Sequence, residues 1–591
     1  MRRGIYIPVL SFFILCGSCT EDFLERYPLD ELSPGEFFQT SNDLKLYANS
    51  FYTLLPSHSG FGGGTFWYEK NSDNLVPSVP DTRLQGIRTI PSSGGGWEWG
   101  NVRQANYFLD HCYDNLTDTV NAPVYIAEVK FFKAFIYFDL LKTFGDVPWF
   151  THALDTDSPE LFSPRDSREA VADSIVACLD EAIAGLKMIG ESEPFRINKE
   201  CALMLKARVC LYEGTWEKYH QGTPFGVPGE DGTEFITLAA SAAEQLMQMG
   251  TSSLYNPGPE NAPYWSLFNQ LDYSGNPEVL LWRKYDVDLE VTHNLGQYLP
   301  NAGGDIGITK SMVDSYLCTD GQPISVSPLF GGYDSLSLEA RNRDPRMAQT
   351  IFLPGDPRTV NRPGGGEDLI FYLPPLDGVG QWRATTGYCM YKGVNIEYSQ
   401  QESVGWMGSI IFRHAEALLI YAESLAELGT ITQGDLDNSV NLLRDRVGMV
   451  HLDLNNITTD PDWDYPTLSP IINEIRRERR VELAFENTRW DDLARWRAHH
   501  LIVNQRPRGV KYIGSNLEGK YFALDGSGDP SIIVGENLFV DGEGFVDPYQ
   551  TLLPSGFGFN PDRDYLSPIP SDELTLNTSL QQNPGWLVPG G

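Results

Sequence analysis

IIFRHAEALLIYAESLAELG, residues 410–429, decides the fold class. Ala415, Leu418, Leu419, Ala422 and Leu425 recur at spacings of three and four and line one side of a helix, while Glu416, Glu423 and Glu427 fall on the other. Gly429 supplies a stop signal, because glycine adopts the left-handed conformation that ends a helix. DLDNSVNLLRDRVG, residues 435–448, follows at once and completes a helical hairpin. Further on, Thr467 or Ser469 can cap a long charged helix over IINEIRRERRVELAFENTRWDDLARWRAHH, residues 471–500.

A second helical block lies upstream. VYIAEVKFFKAFIYFDLLKTFG (124–145), REAVADSIVACLDEAIAGLK (168–187), NKECALMLKARVCLYEGTWEKY (198–219) and FITLAASAAEQLMQMG (235–250) are each of helix length and spaced by three and four. In the third, Ala202, Leu205, Val209 and Tyr212 share a face, and the small Ala207 lets a neighbour approach. Successive pairs read as tetratricopeptide-like hairpins of irregular period, each burying the face its neighbour leaves open. The expected fold is therefore mainly α: a tetratricopeptide-like hairpin scaffold, about 122–250 and 409–500, with an irregular, loop-rich ligand-binding half at about 56–110 and 251–400, and a C-terminal segment 501–591. Glycine and proline clusters at 56–64, 91–100, 221–233, 353–366 and 525–560 mark the long loops, where function concentrates in a repeat scaffold.

The first eighteen residues have the three parts of a secretory signal: Arg2 and Arg3, an apolar segment from Ile5 to Leu15, and Gly17 and Ser18 before Cys19. That segment is shorter than the roughly 20 apolar residues a membrane-spanning helix needs, and no later stretch supplies them. Small residues before a cysteine resemble the lipobox of bacterial lipoproteins, although Cys16 stands where leucine is usual. The reading is a signal peptide over 1–18, a tether over 19–34 lipidated at Cys19, and a single body over 35–591. An ordinary cleaved signal, with free secretion, is the alternative.

A formal net charge of -35 over 591 residues excludes nucleic acid as a partner, since phosphate backbones demand a basic surface. Charged residues make up 21% and aromatics 12%, which indicates a folded body and not an acidic disordered chain. Cys112, Cys178, Cys201, Cys210, Cys318 and Cys389 form no CxxC pair and sit among apolar residues, so buried thiols are expected.

No HExxH, GxSxG, phosphate-binding loop or dinucleotide fingerprint is present. Glu478 and Glu482 invite a glycosidase reading, in which paired carboxylates act as acid and base or nucleophile. Interleaved with Arg479, Arg480, Arg489 and Arg495, they read more simply as an ion-pair network. DGSGDPSIIVGE, residues 525–536, has the acidic spacing of a calcium loop, but Pro530 replaces its glycine; a structural calcium ion is a subsidiary expectation, and no other cofactor is expected. His499 and His500 read as charge near a helix C-terminus.

Sugar binding needs flat rings for CH-rich faces and Asp, Asn, Gln or Arg for hydroxyls, alternating in exposed loops. TFWYEKNSDNLVPSVPDTRLQGIRTIPSSGGGWEWGNVRQAN, residues 65–106, meets that description, with Trp67, Tyr68, Asp73, Arg83, Trp97, Trp99 and Asn101 spread around glycine and proline.

DFLERYP (22–28), LKTFGDVPWF (141–150), RNRDPRM (341–347), FRHAEALLIYAESLAELG (412–429), RERRVELAFENTRWDDLARW (477–496), YLSPIPSDEL (565–574) and NTSLQQNPGW (577–586) together resemble the SusD/RagB family, surface-exposed glycan-binding lipoproteins of Bacteroidetes. The resemblance implies a non-enzymatic protein on the outer face of the outer membrane, anchored at Cys19, that captures oligosaccharide or polysaccharide and passes it to a SusC-like TonB-dependent transporter. Peptide capture, as in RagB-like relatives, is the alternative; an α-helical polysaccharide-degrading enzyme is a further one. It also implies that Asp73, Arg83, Trp97 and Asn101 bind ligand, while Trp99, seven residues before Asn106, starts a helix from the core. Asn294 and Tyr298, with Trp282, are candidates for a second contribution, and WRATTGY (382–388), leading to Lys392, reads as structural. Shallow sugar sites of this kind hold ligand at about micromolar affinity or weaker.

Overall fold

The computed structural model describes residues 38–58, 62–299, 304–401 and 404–587; the signal segment, Cys19 and the tether lie outside them. The long helices are α1 (Ser41–Asn49), α2 (Gly100–His111), α3 (Ala122–Phe144), α4 (Arg168–Gly185), α5 (Lys199–Tyr219), α6 (Thr233–Gln248), α7 (His414–Glu427), α8 (Val440–Val447), α9 (Pro470–Glu482) and α10 (Arg489–Arg495). Thr40 opens α1 with a capping box to Asp43. Ser167 caps α4, and Asn198 caps α5 by accepting from the Cys201 N–H at 2.9 Å.

The helices stack in order: α3 on α4, α4 on α5, α5 on α6, α6 on α7, and α7 on α9. The two blocks of helical sequence are thus one continuous stack joined at α6 and α7. Ala202, Leu205, Ala207, Val209 and Tyr212 are all buried, as their spacing predicts. At the α5–α6 crossing the backbones nearly touch: a Cβ on Gly214 would lie 2.6 Å from the Ile236 side chain, so only glycine fits. Three two-stranded antiparallel sheets lie in the irregular half or at its border: β1 (Leu75–Pro77) with β3 (Ile306–Ile308), β2 (Val279–Arg283) with β6 (Ser409–Arg413), and β4 (Pro357–Thr359) with β5 (Leu369–Ile370).

Two large cores result. The first fills the helical stack and is completed from the other end of the chain by Tyr549, Phe557, Phe559, Tyr565, Leu566 and Ile569. Trp586 joins this closure, with Arg563 4.7 Å and Arg88 5.2 Å from its ring and its Nε1 donating to Leu566 O. The second core, around Tyr264, Met312, Tyr316, Met347, Tyr388 and Phe485, holds the irregular half. The six cysteines Cys112, Cys178, Cys201, Cys210, Cys318 and Cys389 are free thiols, buried except for the partly exposed Cys178.

Two expectations change. The long helix over 471–500 is broken into α9 and α10. Between them Phe485 and Asn487 take φ of 65° and 63°, and the buried Glu69 carboxylate accepts from the Phe485 N–H and, at 3.1 Å, the Arg489 N–H. Pro470 at the first turn and Ser469 before it start α9, without a side-chain cap. On α7 the acidic side is as buried as the apolar one, because each glutamate meets a cation: Glu416 with Arg208, Glu423 with Arg495, Glu427 with Lys218 and Arg476.

Candidate functional site

Where α3, α5, β6 and the α9–α10 turn converge, a cleft of about 650 Å³ opens between the helical stack and the N-terminal loops. Asp139 and Lys142 project from the last turns of α3, and Arg208 and Tyr212 come from α5. Lys142 Nζ donates to Asp491 Oδ2 at 2.9 Å and lies 3.9 Å from Asp139 Oδ1. Burial works against the Lys142 charge, but Asp491 and Asp139 outweigh it and raise its pKa. This pair keeps a face to solvent, with Lys142 23% and Asp491 29% exposed in their side chains.

Deeper in, the charges are consumed by one another. Arg208 grips both oxygens of Glu416, at 2.8 and 2.6 Å, and Glu486 takes Arg413 at 2.6 and 2.8 Å and Lys392 at 2.7 Å. Burial alone would raise the Glu416 pKa, yet the Arg208 charge and hydrogen bonds bring it below the ordinary value. On the same walls Arg479 Nη1 is a buried donor without a hydrogen-bond partner among the described residues. The rim carries Tyr68, 43% exposed with its hydroxyl donating to Ser57 O at 2.8 Å, and the exposed side chains of Asn101 and Glu98.

Such a cleft can hold a hydroxylated ligand. The ammonium of Lys142 donates while the carboxylate beside it accepts, so one vicinal diol can engage both, and the Tyr68 ring offers a flat face.

The structure brings Tyr68 and Asn101 to this cleft and places the other expected binders elsewhere. Trp97 is a correction: it is 6% exposed and packs edge-on against Phe144 and Trp99, with ring centroids 4.9 and 5.3 Å apart. The left-handed glycines 94–96 turn the loop so that this indole enters the helical core. Asp73 is a second correction. Buried, it is clamped by Arg489 at 2.7 and 2.6 Å and reached by Arg480 at 3.2 Å. Burial opposes its charge, but the two guanidiniums prevail and lower its pKa to about 2. The Arg83 guanidinium is stacked 4.0 Å from the Trp490 ring, next in sequence to Asp491 of the cleft.

Trp67, Asn294 and Tyr298 do come together, but as a packed cluster apart from the cleft lining: Trp67 meets Tyr298 edge-on at 5.6 Å, and Asn294 Oδ1 accepts from the Gly62 N–H at 3.0 Å. Asn294 and Tyr298 are buried; Trp67 is partly so. Trp282 is core, edge-on to Tyr273 at 5.6 Å. Trp99 packs on Phe150 and precedes α2, with Asn106 bonding Phe150 O and His152 O, as the helix-start reading has it.

Glu478 and Glu482 are sealed in the interior. Arg346 bridges them at 2.6 and 3.0 Å; Glu482 also binds Arg413 and Arg446, and Glu478 binds Arg444. Burial pushes the Glu482 pKa up, but Arg446, Arg413 and Arg346 hold it far below the usual carboxylate range. At 525–536 the Asp525 carboxylate is turned onto the Ser527 N–H, and no three His, Cys, Asp or Glu side chains gather as metal ligands among the described residues. His499 bonds the Tyr565 hydroxyl and His500 the Asp464 carbonyl.

Lys142, Arg208 and Asp491 are the cleft residues that sequence reasoning missed. The signal for Lys142 was its spacing of three from Asp139 in the last turns of α3. Trp382, at the head of the WRATTGY segment read as structural, is in fact half-exposed on the irregular half, near the Arg383–Asp305 ion pair at 3.0 Å.

Comparison with known proteins places this geometry in context. A SusD family model matches residues 268–586, more than half of the chain. SusD-like protein P38 of Formosa agariphila is 26% identical over 83% of this chain and 90% of its own length, and SusD-like protein P2 of that organism is 23% identical over 95% and 96%. Among solved structures, a SusD-like protein from Bacteroides fragilis superposes with a TM-score of 0.69 at 23% identity, covering 95% of this chain and all of that one. A second, described as a SusD-like carbohydrate binding protein from the same organism, superposes with a TM-score of 0.67 at 22% identity, over 92% of this chain and all of that one.

Proposed function

This chain belongs to the SusD family, and from that premise we propose that it is a non-enzymatic glycan-binding protein that captures oligosaccharide or polysaccharide at the mouth of its cleft. The observation that carries the reading is the Lys142–Asp491 pair, about a quarter exposed to solvent, in a cleft also lined by Tyr68 and Asn101. One solved relative is described as carbohydrate binding, which agrees with it. Binding is favoured over bond breaking because the deep carboxylates, Glu416 and Glu486 in the cleft and Glu478 and Glu482 behind it, have both oxygens engaged by cations and cannot shuttle protons. In the fuller proposal the chain is anchored at Cys19 on the outer face of an outer membrane and hands its ligand to a SusC-like TonB-dependent transporter.

Calorimetric titration of the purified chain against plant, host and microbial polysaccharides tests the reading. At least one should bind at about micromolar affinity or weaker, and Tyr68→Ala should weaken it about 5- to 10-fold, with Asn101→Ala costing about threefold. Binding untouched by both substitutions would place the ligand elsewhere. Binding of peptides and of no polysaccharide would favour the RagB-like alternative, and release of shortened sugar would overturn the non-enzymatic reading.

A further inference from the structure

His58 lines the cleft and is buried, and a second buried imidazole, His293, stands beside it with ring centroids 4.8 Å apart. Tyr285 completes the cluster, stacked on His58 at 5.7 Å and edge-on to His293 at 4.7 Å, with its hydroxyl donating to His58 O at 3.1 Å. The short turn that leads into Tyr68 folds over this group. Gly64 comes so near that a Cβ there would lie 2.5 Å from His58 Nδ1, the Phe66 ring stacks on the imidazole at 5.8 Å, and Nδ1 accepts from the Thr65 N–H at 3.4 Å. Thr65 O in turn accepts from the Tyr68 N–H at 3.2 Å, and the Tyr68 hydroxyl reaches back to Ser57 O, one residue before His58.

Both imidazoles are used in a way that only the neutral ring allows. His58 accepts at Nδ1 while its Nε2 faces Gly408 O at 3.3 Å; His293 accepts at Nδ1 from the Leu295 N–H at 3.2 Å while its Nε2 faces Met407 O at 3.0 Å. An imidazolium carries a proton on each nitrogen and has no acceptor left, so protonation sets N–H against N–H at Thr65 and at Leu295 and brings two cations together. Burial, with His293 beside it, holds the His58 pKa well below the usual imidazole value, burial holds that of His293 down to about 4, and no carboxylate among the described residues opposes them. Around the cluster, Lys284 and Asp286 pair with each other at 3.1 Å, and Arg283 lies 6.0 Å from the Tyr285 ring. Glu69, next after Tyr68, is turned away to the Phe485 and Arg489 N–H groups, and Gly405–Gly408 carries no ionisable side chain.

We propose that His58 and His293 are positioning residues for the cleft: a neutral pair that holds the Tyr68 turn in place and, by taking up protons, releases it in acid. The consequence for binding rests on the reading of Tyr68 as part of the ligand site; the release of the turn does not. Because the held pair is neutral, the held state is favoured above the ordinary imidazole value of 6.5 and weakens as pH falls from there toward 4.

Hydrogen exchange of the full chain at pH 7 and pH 5, corrected for the intrinsic rate at each pH, tests the release with no sugar present. Protection of the Tyr68 and Leu295 amides should fall about tenfold or more at pH 5 while the amides of α5 and α6 keep theirs. In the double variant His58→Asn with His293→Asn, whose amide oxygens accept but take up no proton, the fall should be absent. Melting temperatures show whether that variant folds; if it does not, either single substitution is read in its place and should lessen the fall. Equal protection at both pH values, a fall undiminished in the variants, or a fall shared by α5 and α6 would overturn the proposal. Soluble starch, laminarin and xylan, titrated at the same two pH values, read the consequence. Whichever binds at pH 7 should bind about tenfold more weakly at pH 5 in the wild type and equally at both in the variant. Constant affinity in the wild type while the turn is released would overturn the positioning role. If none of the three binds at pH 7, it is the cleft reading that loses support, and the exchange result still decides the histidine pair.

Discussion

Around α9, two neighbouring regions leave their buried polar groups in opposite conditions. On one flank Glu278, Glu478 and Glu482 each have both carboxylate oxygens met, by Arg346, Arg413, Arg444 and Arg446 and, for Glu278, by the Tyr255 N–H. On the other, Trp463 Nε1, Tyr465 Oη, and Nε and Nη1 of Arg476 are buried without a hydrogen-bond partner among the described residues. A paired charge in the interior orders the scaffold, since removing either member strands the other in a low dielectric. An unmatched donor does nothing for the scaffold and costs desolvation. In the cleft both pairs are matched, a locked Arg208–Glu416 pair inside and a partly exposed Lys142–Asp491 pair outside.

The contrast is broken most directly at Glu482. Glu482→Gln should destabilise the fold by about 3–5 kcal/mol in urea unfolding, because three guanidiniums lose their shared counter-charge. Its depressed pKa adds stability above the unfolded value of 4.5 that is lost as acid carries the carboxylate through its folded value, so the variant should also lose part of the wild-type acid sensitivity below about pH 5. A milder or absent effect would mean that the buried ion pairs of Glu482 do not order the scaffold.

Trp97→Ala sharpens the same division from the loop side. Its indole is packed on Phe144, so the change should cost about 3 kcal/mol or more in unfolding free energy and leave polysaccharide affinity per folded molecule unchanged. The reverse result, full stability with lost binding, would restore Trp97 to the ligand face.

Smaller still is the expected effect of Glu339→Gln. Glu339 is buried and accepts from the Tyr388 hydroxyl at 2.8 Å; burial, with Asp314 nearby, pushes its pKa up to about 7. The folded state therefore holds a proton that the unfolded chain releases near pH 4.5, and wild-type stability should fall between about pH 4.5 and 7. The variant should lack that decline and gain about 1–3 kcal/mol relative to wild type by pH 8, read from melting curves across pH. Parallel curves would mean that Glu339 is already ionised at pH 5.

The helical stack was legible because burial repeats with the helix period: Ala202, Leu205, Val209 and Tyr212 announce their face from spacing alone. The break between α9 and α10 was not, because its cause is Glu69, more than 400 residues away in sequence. The site divides in the same way. Tyr68 and Asn101 could be found from glycine- and proline-rich surroundings, whereas composition cannot say which way a loop turns a side chain, and so Trp97 was placed outside when it belongs inside. Lys142 and Asp491 escaped notice because each sits in a helix with a sufficient structural explanation, and they meet only across 349 positions of chain.

The closing of the helical core by Tyr549–Ile569 and Trp586 sets synthesis and folding in opposite orders. At ordinary elongation rates the helix ending at Phe144 waits roughly 20–80 s for Tyr565, its partner in that core, to be made. Until then the earliest-made helices have an unfinished interior, so a chain cut short before Tyr549 would leave its beginning, not merely its end, open to proteases.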